Sequence, residues 1–339
     1  MTRIAVVGLG FMGKAHIGVY QQMKDVEITA LCDEYAPNLN LSSLDAGGNI
    51  AASAGAVDLS GAQKFESFDD LLQAGGFDAV DLCIPTHKHR DYILQALHAG
   101  YHVFCEKPLA RSLSEAEEIN QAVEKTGRVV AVGQCLRFWP AYTTARSIIE
   151  SETYGAVRHA EFARYSPPPT WSVNSWLGDT EKSGNAALDL HIHDVDMIAF
   201  FFGRPRSLRS VGIPDGHGSF SHISTVYTYD NLSVTSTGGW AFPTSYPFNM
   251  TARWIMEHGA LDLDFSREAV LMIYPGDGDA KAVELPPGDG YSLELADFVH
   301  RVREGKPADI VSTREATVSL EIALQEIESA RRGEEVSFT

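Results

Sequence analysis

No apolar run in this sequence approaches the 18 residues that a helix needs to cross a bilayer, so a membrane is not an expected partner. Strand-like residues begin at Arg3, which leaves no room for a secretory leader, and the expected compartment is the cytoplasm. Basic residues are scarce, 27 Lys and Arg against 45 Asp and Glu, for a net charge of −18. Such a chain repels phosphate backbones, which excludes nucleic acid as an expected partner. The four cysteines, Cys32, Cys83, Cys105 and Cys135, lie in or near apolar strand-like runs without paired spacing. Buried reduced thiols are expected, not disulfides or a zinc site. Internal repeats and low-complexity tracts are missing too.

What is present describes an ordinary globular protein. The 44% hydrophobic and 21% charged residues suit a well-packed fold, and 339 residues exceed what one hydrophobic core usually organises. Two domains are therefore expected. In the first third, β-branched runs alternate with helical ones: "RIAVVG" at 3–8, a helix through "LGFMGKAHIGVYQQM", "VEITALCD" at 26–33, "DAVDLCIP" at 78–85, "YHVFCE" and "RVVAVG" at 128–133. A Gly/Ala/Ser-rich stretch occupies 36–62. Between the later strands "HKHRDYILQALHAG" reads as a helix closed by Gly100, and "SLSEAEEINQAVEKTG" as one capped by Ser112 or Ser114 and ended by Gly127. This alternation predicts parallel βαβ units in a doubly wound sheet. From about Val157 longer segments alternate apolar and polar residues, with turn signals at Asp230-Asn231 and His258-Gly259, which predicts an antiparallel sheet. Helices are expected there at 186–202, 291–304 and 313–332. The expected class is α/β, with a doubly wound domain over 1–127 and a second α/β domain over 128–339.

"GLGFMG" places Gly8, Gly10 and Gly13, with Phe11 and Met12 between them, between the first strand and the first helix. Glycine permits the tight turn and a close approach of backbone to a pyrophosphate, which sits on the helix N-terminus. Asp33 ends the second strand 20 residues after Gly13, where a carboxylate accepts ribose hydroxyls. Together they predict dinucleotide binding. A carboxylate at position 33 repels a 2′-phosphate and residues 34–40 offer no Lys or Arg to bind one, so NAD is expected over NADP. Ligands of a doubly wound sheet bind at the carboxyl ends of its strands, which brings Pro85 and Glu106-Lys107-Pro108 to the cofactor. In isolation, "EKP" reads as a strand emerging into solvent; the cofactor motifs around it are what bring it to the site.

"GLGFMG", "IPTHKH", "EKP" and "LDLHIHDVD" occur in the order seen in the Gfo/Idh/MocA family of sugar and inositol dehydrogenases, which the chain resembles over nearly its whole length. The resemblance implies an N-terminal Rossmann domain and a C-terminal domain with an open, mostly antiparallel sheet through which family members often form dimers or tetramers. Pro85, His89, Glu106 and Lys107 would then line the cofactor. Lys107 would touch the reacting hydroxyl, where an ammonium stabilises an alkoxide-like oxygen, and Glu106 would hold Lys107 or be an exposed strand-end acid. In 187–202, apolar on most of its circumference, Asp189, His193 and Asp196 fall at i, i+4 and i+7 as one stripe. In the family's pattern the histidine takes the hydroxyl proton, a role an imidazole suits near neutral pH. His193 is the expected base, with Asp189 orienting it or binding the substrate. Helix capping by Asp189 and a zinc site are competing readings, but no further ligand cluster accompanies the stripe and no metal is expected. Trp176, Ser183 and Gly184 match the family's substrate loop; Leu177 stands for the usual Arg and Asn185-Ala186 for two glycines. Asn185 is expected to give the substrate a hydrogen bond, and Arg137 to meet its polar groups or form an interdomain salt bridge. The implied activity is NAD-dependent oxidation of a secondary hydroxyl of a sugar, cyclitol or related polyol, or reduction of the ketone. An NAD-dependent glycoside hydrolase and a non-catalytic NAD-binding regulator are the alternatives.

Overall fold

The computed structural model describes residues 1–41, 44, 59–170 and 172–338; most of the Gly/Ala/Ser-rich stretch at 36–62 lies outside the described residues. In chain order, β1 (Thr2–Val7), α1 (Phe11–Tyr20), β2 (Val26–Cys32), β3 (Gln63–Phe65), α2 (Phe68–Ala74), β4 (Ala79–Leu82), α3 (His89–His98), β5 (His102–Glu106), α4 (Leu113–Thr126) and β6 (Val130–Gly133) form the first series. There follow α5 (Pro140–Glu150), β7 (Val157–Tyr165), α6 (Thr180–Ser183), α7 (Asn185–Asp189), α8 (Ile192–Phe202), β8 (Ser207–Pro214), β9 (Phe220–Thr228), β10 (Ser233–Gly239), β11 (Asn249–Met256), β12 (Gly259–Asp264), β13 (Leu271–Pro275), β14 (Lys281–Ala282), α9 (Gly290–Glu304), α10 (Thr313–Arg332) and β15 (Val336–Ser337).

The first six strands are all parallel, in the order β3-β2-β1-β4-β5-β6. Strand order reverses between β1 and β4, so the carboxyl ends of these two strands flank the switch point where such sheets bind ligands. Every residue of β4 and of β6 is buried, the pattern of strands covered on both faces. Local signals end the helices as expected: the Ser112 hydroxyl accepts the Glu115 N–H to cap α4, and Gly127 closes it at φ +63°. Ile4, Val6, Leu9, Ile17, Leu31 and Phe104 form the core, joined by Leu295 and Phe298 of α9.

The chain divides into two compact units, Met1–Cys135 with Thr170–Trp176 and Tyr291–Thr317, and Leu136–Pro169 with Leu177–Gly290 and Val318–Thr339. β6 lies beyond the boundary expected after Gly127 yet pairs along β5 as the sixth strand. The second unit is built on nine strands in the order β14-β13-β12-β11-β7-β10-β9-β8-β15. β7 and β10 pair in parallel and the other neighbours are antiparallel. One face is covered, with Ala160, Phe162 and Arg164 of β7 buried, and Phe201 of α8 packs 5.1 Å from the Trp254 ring. The other face is open, and Val211, Ile213, Val226, Ile255 and Tyr274 are exposed on it. Among the described residues no helix is long and apolar enough to cross a membrane.

The helix expected over 186–202 is not continuous. α7 ends at Asp189 and α8 starts at Ile192, because the Ala186 carbonyl accepts both the Leu190 and His191 amides, at 3.0 and 2.9 Å. Asp189 and His193 therefore stand on two successive helices.

Candidate functional site

Each unit carries its own group of side chains. In the first, Gly8, Gly10, Phe11 and Met12 are half-exposed where β1 passes into α1. The three glycines have different reasons. At Gly8 φ is +85°, and a Cβ would stand 2.3 Å from the Cys83 carbonyl oxygen; at Gly13 it would stand 1.9 Å from the Gly8 carbonyl oxygen. Both are demanded by the fold itself. Gly10 is not: its φ is −73° and a Cβ would meet nothing within 4 Å. The protein's own atoms leave room for a side chain there, which is the space a pyrophosphate on the α1 N-terminus requires. The loop fits a dinucleotide.

Asp33 follows β2. Its Oδ2 accepts the Leu9 amide at 2.7 Å and the Asn38 side chain at 3.0 Å, and Oδ1 accepts the Tyr35 amide at 2.8 Å. The carboxylate thus ties the glycine loop to the β2 end. Beside it, Glu34 is paired with Lys88 and with the Tyr92 hydroxyl, and the Lys88 contact leads in lowering its pKa below the ordinary carboxylate value. Lys88 is thus a cation that sequence proximity does not reveal, already neutralised by an acid.

Pro85, half-exposed, follows β4 by three residues and precedes a short turn into α3. His89, expected on the cofactor, is buried, with Nδ1 2.8 Å from the Pro108 carbonyl and Nε2 2.9 Å from the Ile84 carbonyl. Burial lowers its pKa. The ring braces the ends of β4 and β5 against each other, with one nitrogen beside each carbonyl and, in the neutral ring, one N–H to donate. Glu106, the last residue of β5, is 7% exposed, so it is no solvent-facing strand-end acid. From Val103 to Ala110, Lys107 is the one side chain that is not buried.

In the second unit a parallel pattern holds: from Asn185 to Ile198 His193 is the one side chain that is not buried. The acids around it are placed by arginines. Arg164 Nε and Nη2 meet the Asp194 oxygens at 2.9 and 3.0 Å, both groups fully buried. Arg137 makes the same two-pronged contact with Asp196, 2.9 Å at Nε and at Nη2, and Ser319 donates to Asp196 Oδ1 at 2.7 Å. The salt bridge left open as interdomain thus lies inside the second unit. Arg137 is 3% exposed, which commits its guanidinium to Asp196 in place of the expected substrate contact. His191 faces inward, with Nε2 3.1 Å from Ser236 Oγ and 3.4 Å from Glu326; burial opposes its charge, but Glu326 raises its pKa overall. Paired in this way, buried charges hold the helix in place.

The substrate loop differs from expectation at Asn185. Its side chain donates to Asp215 at 2.9 Å and accepts the Ala186 amide at 2.7 Å, at φ +61°. An asparagine tolerates that left-handed backbone, and its amide stabilises the start of α7. Trp176 is half-buried in a short 3-10 turn over Val173–Gly178. Sequence reasoning missed the group around His16, Asp81 and Glu294 beneath Glu106. One signal for it is legible, because Asp81 interrupts a four-residue strand buried throughout.

Residues 2–134 match an oxidoreductase family with an NAD-binding Rossmann fold, and residues 142–261 match a GFO/IDH/MocA C-terminal domain. The chain is similar to scyllo-inositol 2-dehydrogenase (NAD(+)) of Bacillus subtilis (strain 168), 28% identical over 78% of each protein. It is similar to D-glucoside 3-dehydrogenase of Escherichia coli (strain K12), 26% identical over 99% of this chain and 97% of that one. In fold it matches levoglucosan dehydrogenase in complex with NADH and levoglucosan at 18% identity, with a TM-score of 0.83 over 99% of both chains.

Proposed function

From the chain's membership of the Gfo/Idh/MocA family of oxidoreductases, we propose that it is a dehydrogenase that moves a hydride between a secondary hydroxyl carbon of a sugar or cyclitol and NAD, with NAD preferred over NADP. The observation that carries this reading is shared by both units: each buried run bearing a family motif leaves one chemically competent side chain half-exposed, Lys107 in one and His193 in the other. NAD, when bound, supplies the hydride acceptor or donor. Gly8, Gly10 and Gly13 hold its pyrophosphate, Asp33 its ribose hydroxyls, and Pro85 and Lys107 flank its reactive end. His193 takes the hydroxyl proton at an imidazole nitrogen, and Lys107 stabilises negative charge on the same oxygen. Asp189 orients His193 or binds a substrate hydroxyl, and Trp176 contacts the sugar. The unit built on the six-stranded sheet, β6 included, holds the cofactor; the second unit carries Asp189 and His193 and, through the open sheet face, self-association into a dimer or tetramer, which light scattering reads directly.

Relatives named as inositol, glucoside and levoglucosan dehydrogenases favour a ring-shaped polyol. The deciding experiment is NAD reduction across inositols, aldoses, glycosides and sugar acids. Net NADH formation with at least one is the expected result, and cleavage of aryl-glycosides without net NADH would overturn it.

A further inference from the structure

Beneath the carboxyl edge of the first sheet lies a buried set of titratable groups to which the hydride chemistry assigns no part. His16, on the inner side of α1, is fully buried. Its Nδ1 stands 2.8 Å from Asp81 Oδ2 and 3.3 Å from Cys83 Sγ, and its Nε2 stands 3.2 Å from Glu106 Oε1. Glu294 of α9 completes the set, with a ring nitrogen of His16 and a carboxylate oxygen each of Glu106 and Glu294 all within 4.8 Å of one another. The Nε2 contact is an ion-pair approach, not an aligned hydrogen bond. A neutral ring donating Nδ1–H to Asp81 would turn the Nε2 lone pair on a carboxylate oxygen. An imidazolium resolves that conflict, with one N–H toward each acid. Burial by itself opposes the charged ring, but Asp81 and then Cys83 outweigh it and hold the pKa well above the ordinary imidazole value.

Glu106 is held from other sides as well. Its Oε2 accepts the backbone N–H of Lys107 at 3.2 Å. Gly133 of β6 lies against the carboxylate so closely that a Cβ there would stand 3.0 Å from Oε1 and 3.1 Å from the carboxyl carbon. A methyl at position 133 therefore presses on the Glu106 carboxylate, which must give by a few tenths of an ångström.

We propose that His16, oriented by Asp81, is a positioning residue for Lys107: it pins the Glu106 carboxylate, and Glu106 fixes the backbone from which the Lys107 side chain projects. This rests on the assignment of Lys107 to the reacting oxygen. A positioning role of this kind acts on turnover and passes through one residue.

The test compares His16→Leu, His16→Gln, Gly133→Ala, Lys107→Met and the His16→Leu/Lys107→Met double variant in the full chain. His16→Leu and Gly133→Ala are expected to lower kcat by about 10–100-fold with NAD affinity and substrate KM little changed, the scale of a small misplacement near reacting atoms. His16→Gln, which keeps a single donor nitrogen in place of two, recovers part of the loss. In the Lys107→Met background His16→Leu adds no more than about twofold, because the residue through which it acts is gone. Losses that multiply in the double variant, or full kcat in folded His16→Leu, overturn the proposal. If His16→Leu does not fold, Gly133→Ala, which displaces Glu106 with His16 intact, decides the matter. Two readouts need no turnover: ¹⁵N spectra should show both His16 ring nitrogens protonated at neutral pH, and the labelling rate of Lys107 by an amine reagent should change in both variants while that of exposed Lys125 does not. A neutral His16 ring, stoichiometric zinc lost in His16→Leu, or an unchanged Lys107 rate sinks the proposal. A wild-type protein inactive on every polyol, with these two readouts as expected, sinks only the functional assignment.

Discussion

Gly10→Ala separates what the fold requires of the glycine loop from what a ligand requires. At this position φ is −73°, open to any residue, and an added methyl meets no protein atom within 4 Å. Replacing a glycine at a compatible backbone stabilises by about 0.4–1 kcal/mol through the unfolded chain, while alanine is a poorer helix N-cap than glycine by several tenths. The two effects nearly cancel, and Gly10→Ala should melt within about 1 °C of wild type, given that 1 kcal/mol shifts a chain of this size by only a few degrees. A methyl forced against a bound pyrophosphate is an overpacking event, worth about 1–3 kcal/mol. That corresponds to roughly 5–150-fold weaker NAD binding, since each 1.4 kcal/mol is tenfold. Gly13→Ala is the control: its methyl would sit 1.9 Å from the Gly8 carbonyl oxygen, so the loop itself must open. It should lose stability and binding together. The assays are a thermal melt and a fluorescence titration with NAD on each variant. Unchanged NAD affinity in Gly10→Ala, or a melt depressed as far as that of Gly13→Ala, would refute the reasoning that the space over Gly10 belongs to the cofactor.

Four further outcomes are expected. His193→Ala should lower turnover by about 10²–10⁴-fold with NAD affinity nearly intact, and near-normal turnover in a folded variant removes it from the mechanism. Lys107→Met should stay folded and bind NAD yet lose about 2–4 kcal/mol of transition-state stabilisation, read as kcat/KM, and Lys107→Arg should not restore it. Because Glu34 occupies Lys88 and Asp33 anchors the loop through Leu9 and Tyr35, Asp33→Ser with Glu34→Gln should weaken NAD binding and shift preference toward NADP; titrations showing equal or tighter NADP binding in the wild type would contradict the role given to Asp33. Asp194→Ala, which removes the carboxylate that Arg164 Nε and Nη2 meet in the buried interior, should cost about 3–5 kcal/mol in denaturant unfolding, and a loss below about 1 kcal/mol would show the charge satisfied without Asp194.

The sequence by itself determined the alternation of strands and helices in the first third, the antiparallel character of the later sheet, and the positions of the glycine loop and of Asp33. These are local properties: periodicity of two or 3.6, glycine where backbone crowds backbone, and a cap at each helix end. It also placed Lys107 at a strand end, since a charge directly after an apolar run marks the point where a strand stops. Only the tertiary structure decided which polar residues were already occupied. Arg137 and Asp196 are 59 residues apart and Arg164 and Asp194 are 30 apart, and nothing local matches them. His89 and Asn185 sit within motif-like stretches, yet their nitrogens and oxygens are consumed by neighbouring backbone and by Asp215. The break after Asp189 was hidden for a related reason: an apolar, helix-favouring run carries no signal that one carbonyl will accept two amides. The set around His16, Asp81, Glu106 and Glu294 gathers from α1, β4, β5 and α9, so it exists only once the sheet and the returning helix have closed over it. A residue's type and spacing state what chemistry it can do; burial and partners, which depend on chain segments far away, decide whether it is free to do it.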